Sequence, residues 1–120
     1  MEFSKADQEA HDRMLEIWAK NLTTQGYSQM CLALPDAPRK TVQIGQHVPD
    51  LTAIDPQNLK VIGEVKTAND IDNDHTREQL RDYLKTGQKV MLLIPTSHLS
   101  QAKAFLQREE LSSVWVWHFS

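Results

Sequence analysis

The sequence predicts an α/β protein in which helices cover a mixed sheet, and three observations support this prediction. Segments with helical periodicity alternate with short runs of β-forming residues, in the order α-β-β-β-α-β-α-β. Two of these runs are separated only by turn-forming residues, which is typical of an antiparallel hairpin. Helices separate the later strands, so those connections are crossovers between parallel strands.

The size and composition fit one domain over residues 1–120. Hydrophobic residues make up 40% of the chain and charged residues 24%, as in ordinary globular proteins. The longest apolar run, Val90 to Ile94, is too short to span a bilayer, and the first residues do not begin a signal peptide. A single cysteine, Cys31, excludes an internal disulfide and a cysteine-held zinc ion or iron–sulfur cluster. We therefore expect a cytoplasmic protein that does not associate with membranes.

The net charge of −3 provides no overall positive field that would attract nucleic acid. If the protein binds DNA, it must use a local positive patch or a bound metal ion.

The first helix is predicted from Ser4 to Thr24, with Ser4 as its N-cap and Gly26 just beyond its end. Its apolar stripe has helical spacing and consists of Ala10, Met14, Ile17, Trp18 and Leu22.

A strand is predicted from Tyr27 to Leu34, where the proline-containing loop 35–38 stops it. Thr41 to Ile44 is either a short extension of this strand or part of a loop.

A β-hairpin is predicted next. Val48 to Ile54 and Lys60 to Lys66 are rich in β-forming residues, and Asp55 to Asn58 between them has the composition of a turn.

The remainder of the chain alternates between loop, helix and strand. We predict a polar loop over Thr67–Asp74, a helix over Thr76–Thr86, a strand over Lys89–Ile94, a helix over Ser97–Glu110 and a strand over Val114–Phe119.

The last strand carries its aromatic residues on one face, where Trp115, Trp117 and Phe119 alternate with Val114 and Val116. This pattern favours a core strand with two buried faces. An aromatic dimer interface is the alternative.

The hairpin carries the residues that point to chemistry. With the turn centred on Gln57, Asp50 and Glu64 each lie seven residues away and face each other across the two strands. Opposed like charges are destabilising, and a divalent cation between them would compensate. Lys66 lies on the same face as Glu64. Solvated charges near strand ends are the alternative interpretation. The other face of the hairpin is small and apolar and consists of Leu51, Ala53, Val61, Gly63 and Val65.

These residues resemble a known motif. Pro49-Asp50, followed after thirteen residues by Glu64-Val65-Lys66, resembles the signature of the PD-(D/E)XK nuclease superfamily. The resemblance implies a restriction-endonuclease-like αβββαβ core with a mixed central sheet flanked by helices, extended by a C-terminal helix and strand.

Further features resemble the RecB-type branch of that superfamily. They are His11 on the first helix, the run Glu64 to Thr67, and the Gln79-x-x-x-Tyr83 pattern on the second helix.

The resemblance assigns roles to individual residues. Asp50, Glu64 and the Val65 carbonyl would hold Mg²⁺, or alternatively Mn²⁺. Lys66 would orient the attacking water and offset charge on the phosphate, and Gln79 would support the site.

The helix residue that assists the metal is either His11 or Glu9. His11 falls within the apolar stripe of the first helix, which favours the alternative of a core histidine bonded to a backbone carbonyl.

Gln79 also has two interpretations. In the run Thr76-Arg77-Glu78-Gln79 it fits a capping box, in which its side chain returns to the Thr76 amide. In the other interpretation its amide lies beside the metal or the DNA.

Several side chains are candidates for contact with nucleic acid. They are Arg77, Arg81, Lys85 and Tyr83 on the second helix and Arg39 and Lys40 in a loop. A solvated helical face balanced by Glu78 and Asp82 is the alternative for the cationic residues, and core packing is the alternative for Tyr83.

The resemblance thus predicts a Mg²⁺-dependent deoxyribonuclease, either a structure-specific endonuclease or an end-processing exonuclease. A single small domain offers limited DNA-binding surface, so we expect a homodimer or a protein partner that supplies specificity. A non-catalytic nucleic-acid-binding or assembly module with the same fold is the alternative.

Overall fold

A computed structural model describes residues 5–119 and shows one five-stranded sheet with three α-helices. The elements in chain order are α1 (Lys5–Thr24), β1 (Ser28–Leu32), β2 (Leu51–Ile54), β3 (Lys60–Val65), α2 (Asp74–Leu84), β4 (Lys89–Pro95), α3 (Leu99–Arg108) and β5 (Trp115–Phe119). The predicted order of elements and the α/β class are confirmed.

The sheet is mixed, with the strands arranged in the order β1-β2-β3-β4-β5. The first three strands pair antiparallel, whereas β3, β4 and β5 pair parallel. Parallel neighbours require crossover connections, which α2 and α3 provide. The parallel strands therefore end at one edge of the sheet, next to the start of β2.

An apolar core covers each face of the sheet. On one face, α1 contributes Leu15, Trp18 and Leu22 to a cluster that includes Met91 and Leu93 of β4. On the opposite face, beneath α2 and α3, the buried residues of β4 are Val90, Leu92 and Ile94. Because β4 is buried on both faces, its sequence is a continuous apolar run.

The predicted hairpin register is confirmed. Leu51 pairs with Gly63 and Ile54 pairs with Lys60, and continuing this register by one residue places Asp50 opposite Glu64. A Cβ atom at Gly63 would lie 2.9 Å from the Trp18 ring. Glycine therefore lets α1 approach the sheet closely, next to the two carboxylates.

Several predicted boundaries are revised. Strands β1 and β2 are shorter than predicted because residues 48–50 precede the regular ladder and residues 33–34 leave it. Thr41 to Ile44 belongs to a loop, in which Ile44 forms an isolated bridge with His47. The third predicted helix divides into a 3₁₀ turn at Thr96–His98 and α3. Ser4, the predicted N-cap of α1, lies outside the described residues.

The predicted start of α2 is wrong by two residues. A 3₁₀ turn at Ala68–Asp70 lies within the predicted loop, and Asn73 caps α2 by accepting a hydrogen bond from the Thr76 amide. The Thr76 hydroxyl is buried and donates to the Asp70 carbonyl. The predicted capping box is therefore wrong, and Gln79 is free for another role.

The aromatic residues of β5 divide between core and surface. Trp117 and Phe119 pack against the α1-side core, with the Trp117 ring 6.3 Å from the Trp18 ring. Trp115 is 58% exposed, and the Lys89 ammonium lies 4.2 Å above its ring. Trp117 and Phe119 are thus half-buried against the core, and the prediction of two buried faces is wrong for this edge strand.

No helix within residues 5–119 combines the length and the hydropathy needed to cross a membrane.

Candidate active site

Two carboxylates face each other where β3 ends and β2 begins. The Asp50 amide donates to Glu64 Oε1 at 3.3 Å, and Asp50 Oδ2 accepts from the Val65 amide at 2.9 Å. The Tyr83 hydroxyl of α2 donates to the same Glu64 oxygen at 2.7 Å. Glu64 is only 2% exposed because α2 covers it, so the alternative interpretation of a solvated charge is wrong for Glu64. Burial and hydrogen bonds hold both carboxylates in a defined arrangement.

His11 reaches this pair from α1. Its Nε2 lies 3.0 Å from Asp50 Oδ2, and its Nδ1 lies 3.0 Å from Asp12 Oδ1. Gln8 extends the chain of hydrogen bonds by donating to Asp12 Oδ1 at 2.8 Å. The interpretation of His11 as a histidine bonded to a backbone carbonyl is therefore wrong. Glu9 is exposed, so His11 is the helix residue that the structure brings to Asp50.

The charges of these groups depend on one another. Burial lowers the pKa of His11, but its hydrogen bonds and charge interactions with Asp50 and Asp12 outweigh this and raise the pKa to about 9. Burial raises the pKa of Asp50, but the hydrogen bond from His11 contributes to a net lowering. Burial and the Asp50 charge raise the pKa of Glu64 well above its usual value. Without metal, an imidazolium–carboxylate pair therefore lies beside a glutamic acid that tends to keep its proton.

We expect the metal-free protein to lose stability as the pH rises from 6.5 to 9. A histidine with a raised folded-state pKa contributes stability that is complete below its unfolded pKa of 6.5 and is lost through about 9. Thermal unfolding in EDTA should show this decline in wild type and a shallower one in His11→Gln. His98→Gln serves as the control because His98 pairs with the neutral Gln101. Equal slopes in wild type and His11→Gln would contradict the assignment.

One cavity of about 620 Å³ gathers the predicted catalytic residues. Asp50, Glu64, Lys66 and Gln79 all line it, and His11 and Val65 complete the predicted set. The cavity thus brings together residues from α1, the hairpin and α2.

Gln79 has an unsatisfied group in this cavity. The residue is 6% exposed, and its Nε2 lies 3.4 Å from the Tyr83 hydroxyl, at the long end for a hydrogen bond. Within residues 5–119, its buried Oε1 accepts no hydrogen bond. A buried acceptor without a partner is costly, so this oxygen indicates a donor supplied by a ligand, such as a water molecule.

The oxygen atoms present suit a hard divalent cation. Within residues 5–119, no group of three or more histidine, cysteine and acidic side chains is arranged to hold a metal ion. Mg²⁺, however, is commonly bound by one or two carboxylates and retains several waters. Asp50 and Glu64 supply such a pair, and the free Gln79 oxygen can accept from a water. His11 donates to Asp50 in its protonated form, so it would have to lose a proton to ligate the metal directly.

The predicted nucleic-acid contacts on α2 lie elsewhere. Arg77 pairs with Asp74 at 3.1 Å, Arg77 and Arg81 both approach Glu109 beyond the end of α3, and Lys85 pairs with Asp82. Among the described residues, these three cations are absent from the cavity lining. The structure favours a charge-balanced helical face for them.

Tyr83 is fully buried beneath α2, where it holds Glu64. Its prediction as a nucleic-acid contact is therefore wrong. The Lys40 ammonium donates to the carbonyls of Leu34 and Pro35, whereas Arg39 is exposed. Both loop cations are exposed, but the Lys40 ammonium is already bonded to two backbone carbonyls.

Several residues that line or support the site were not predicted. Asp70, Asn73, His75 and Gln8 line the cavity, and Asp12 holds His11. Asn73 could have been found from its position three residues before Thr76, which is typical of an N-cap. Gln8 and Asp12 lie within one turn of His11 on α1, but the cavity itself combines distant segments, which leave no local signal.

No protein-family model matches the chain, and a search of curated proteins found no significant match.

Proposed function

We propose that this protein is a metal-dependent nuclease that hydrolyses phosphodiester bonds of DNA. The observation that carries the proposal is the opposed pair of the partly buried Asp50 and the buried Glu64, which line the same cavity as Lys66. Two opposed carboxylates repel each other when both are ionised, and a divalent cation bound between them would offset this repulsion. A metal next to a lysine is suited to reactions in which negative charge develops on a phosphate.

We further propose that the fold is of the restriction-endonuclease type. The αβββαβ order, the antiparallel β2–β3 hairpin and the parallel β3–β4 pair support this proposal. The motif residues lie at the end of the hairpin, and a helix and a strand follow the core.

When bound by Asp50, Glu64 and the Val65 carbonyl, Mg²⁺ or Mn²⁺ would polarise the scissile phosphate and lower the pKa of a water molecule. Lys66 has an ammonium group that donates hydrogen bonds, so it can orient the attacking water and offset charge on the phosphate. Gln79 can accept a hydrogen bond from a water in the cavity.

The remaining residues hold the carboxylates in position. Tyr83 fixes one oxygen of Glu64, and His11 fixes one oxygen of Asp50. In this proposal His11 is a positioning residue, which differs from its predicted role as a metal ligand.

The test is cleavage of labelled linear duplex, single-stranded, flap and four-way-junction DNA, with RNA counterparts. Each substrate is incubated with Mg²⁺, Mn²⁺ or EDTA. We expect cleavage that requires metal and is lost in Glu64→Gln but retained in Glu16→Gln, the same substitution at an exposed position of α1. The preferred substrate distinguishes a structure-specific endonuclease from an exonuclease.

Folded protein that binds DNA but cleaves none of these substrates would contradict the proposal and favour a non-catalytic nucleic-acid-binding or assembly module. Sedimentation of the protein with and without DNA tests the expected homodimer. Activity that appears only with an added protein would favour a specificity-giving partner.

A further inference from the structure

His75 differs from the other histidines in its hydrogen bonding. Within residues 5–119, neither of its ring nitrogens makes a hydrogen bond. The histidines that do have a side-chain partner are His11, His47, His98 and His118. His75 therefore has a donor and an acceptor available that local structure does not use.

His75 occupies a position that a substrate can reach. It lies in the first turn of α2 and lines the same cavity as Glu64 and Lys66. Its side chain is exposed, and its ring meets the His47 ring edge-on with the centroids 5.8 Å apart. His47 is in turn held by Asp82 at 2.9 Å, so it limits the positions available to the His75 ring.

The groups around His75 keep its imidazole neutral. Partial burial lowers its pKa, as do Lys66 at the end of β3 and His47 in the preceding loop. Glu78 on α2 and Asp70 in the 3₁₀ turn act in the opposite direction but do not outweigh them. A neutral imidazole has one nitrogen that accepts a proton.

The other residues of the cavity are less suited to accept a proton. The ammonium of Lys66 has donors and no acceptor, and Asp50 and Glu64 are committed to the metal in the proposed function. Asp70 also lines the cavity, but a carboxylate is a weaker base than an imidazole. General bases work best when their pKa lies near the operating pH, which favours histidine.

Building on the proposed nuclease function, we propose that His75 is a catalytic residue that accepts the proton of the attacking water. The water oxygen forms a bond to phosphorus while the bond between phosphorus and the leaving oxygen breaks. One water proton passes to the free nitrogen of His75. The leaving oxygen takes a proton from solvent, and the imidazolium then returns its proton to solvent, so the protons balance.

The kinetic test compares His75→Ala with wild type between pH 5 and 9. At saturating Mg²⁺, we expect the rate to fall by about 10²-fold or more and its acidic limb to disappear. Added imidazole should restore part of the lost activity because His75 is exposed. Asp70→Asn tests the neighbouring carboxylate and should keep the acidic limb, and His98→Ala is the control for loss of a histidine elsewhere. If His75→Ala cleaves at the wild-type rate and keeps the acidic limb of the pH–rate profile, the proposal is overturned.

A second measurement does not depend on activity. Nitrogen NMR of the metal-free protein should show a neutral His75 ring at pH 7, with a midpoint below 6.5. A ring charged at pH 7 would overturn the proposal. If wild type cleaves and Glu64→Gln does not, while His75→Ala is unaffected, only the role of His75 fails. If wild type cleaves no substrate under any condition, the proposed function and the role of His75 fail together.

Discussion

Replacing Glu64 with glutamine should reduce cleavage by about 10³-fold and at the same time raise the melting temperature of the metal-free protein. The glutamate is buried opposite Asp50, and burial together with that charge raises its pKa well above normal. Glutamine has the shape of the protonated acid, can still accept from Tyr83 and can donate to Asp50. It therefore keeps the hydrogen bonds, removes the like-charge repulsion and removes one of the two proposed carboxylate ligands.

The gain in stability should depend on pH. Because the folded-state pKa of Glu64 is raised, wild type loses stability as the pH rises above the unfolded-state pKa of 4.5. The difference in melting temperature between Glu64→Gln and wild type should therefore grow between pH 5 and 8. Each 1 kcal/mol gained in the free energy of unfolding should raise the melting temperature by about 4 °C or more.

Thermal unfolding in EDTA measures the gain in stability, and cleavage with Mg²⁺ measures the loss of activity, which we expect to be about 10³-fold. Glu16→Gln is the control and should change neither quantity. A lower melting temperature for Glu64→Gln at pH 8 would show that the carboxylate stabilises the fold, contrary to the proposed metal site.

Replacing Lys66 with alanine should reduce cleavage by about 10²- to 10³-fold while leaving metal binding intact. Lys66 lines the cavity, and its positive charge acts to lower the pKa of Glu64. Removing Lys66 takes away the positive charge that would stabilise the negative charge developing on the phosphate. It removes no proposed metal ligand.

The rise in melting temperature on adding Mg²⁺ reports metal binding, because a ligand that binds only the folded state stabilises it. This rise should persist in Lys66→Ala and disappear in Glu64→Gln. Lys60→Ala, which replaces an exposed lysine at the start of β3, is the control. Loss of the Mg²⁺ effect in Lys66→Ala would show that the lysine supports the metal site itself and would contradict a role confined to the phosphate.

Local patterns predicted much of the site. The turn around Gln57 and the two-residue periodicity of strands were enough to place Asp50 opposite Glu64, as the ladder confirms. The 3.6-residue periodicity of α1 placed His11 among core residues, and it is buried there with 8% exposure. Both predictions succeeded because neighbours along a regular element need no information from other parts of the chain.

Predictions that depended on the packing of elements were less successful. Arg77 and Arg81 share a helical face, but the position of Glu109 beyond α3 determines what that face meets. Trp115 alternates with core residues, yet it lies on an edge strand and remains exposed. Helical and strand periodicity identify which residues share a face and do not identify what covers it.

The sequence alone thus determined the α/β class, the order of the elements and the pairing of the two hairpin carboxylates, because these depend on local propensity and short-range geometry. Tertiary structure alone decided the chemical state of the site. His11 meets Asp50 across 39 residues only because α1 crosses the sheet next to Gly63, and Tyr83 covers Glu64 only because α2 packs on the opposite face. Burial and neighbouring charges shift the pKa values of both carboxylates. This burial and these neighbouring charges exist only once the helices are in place.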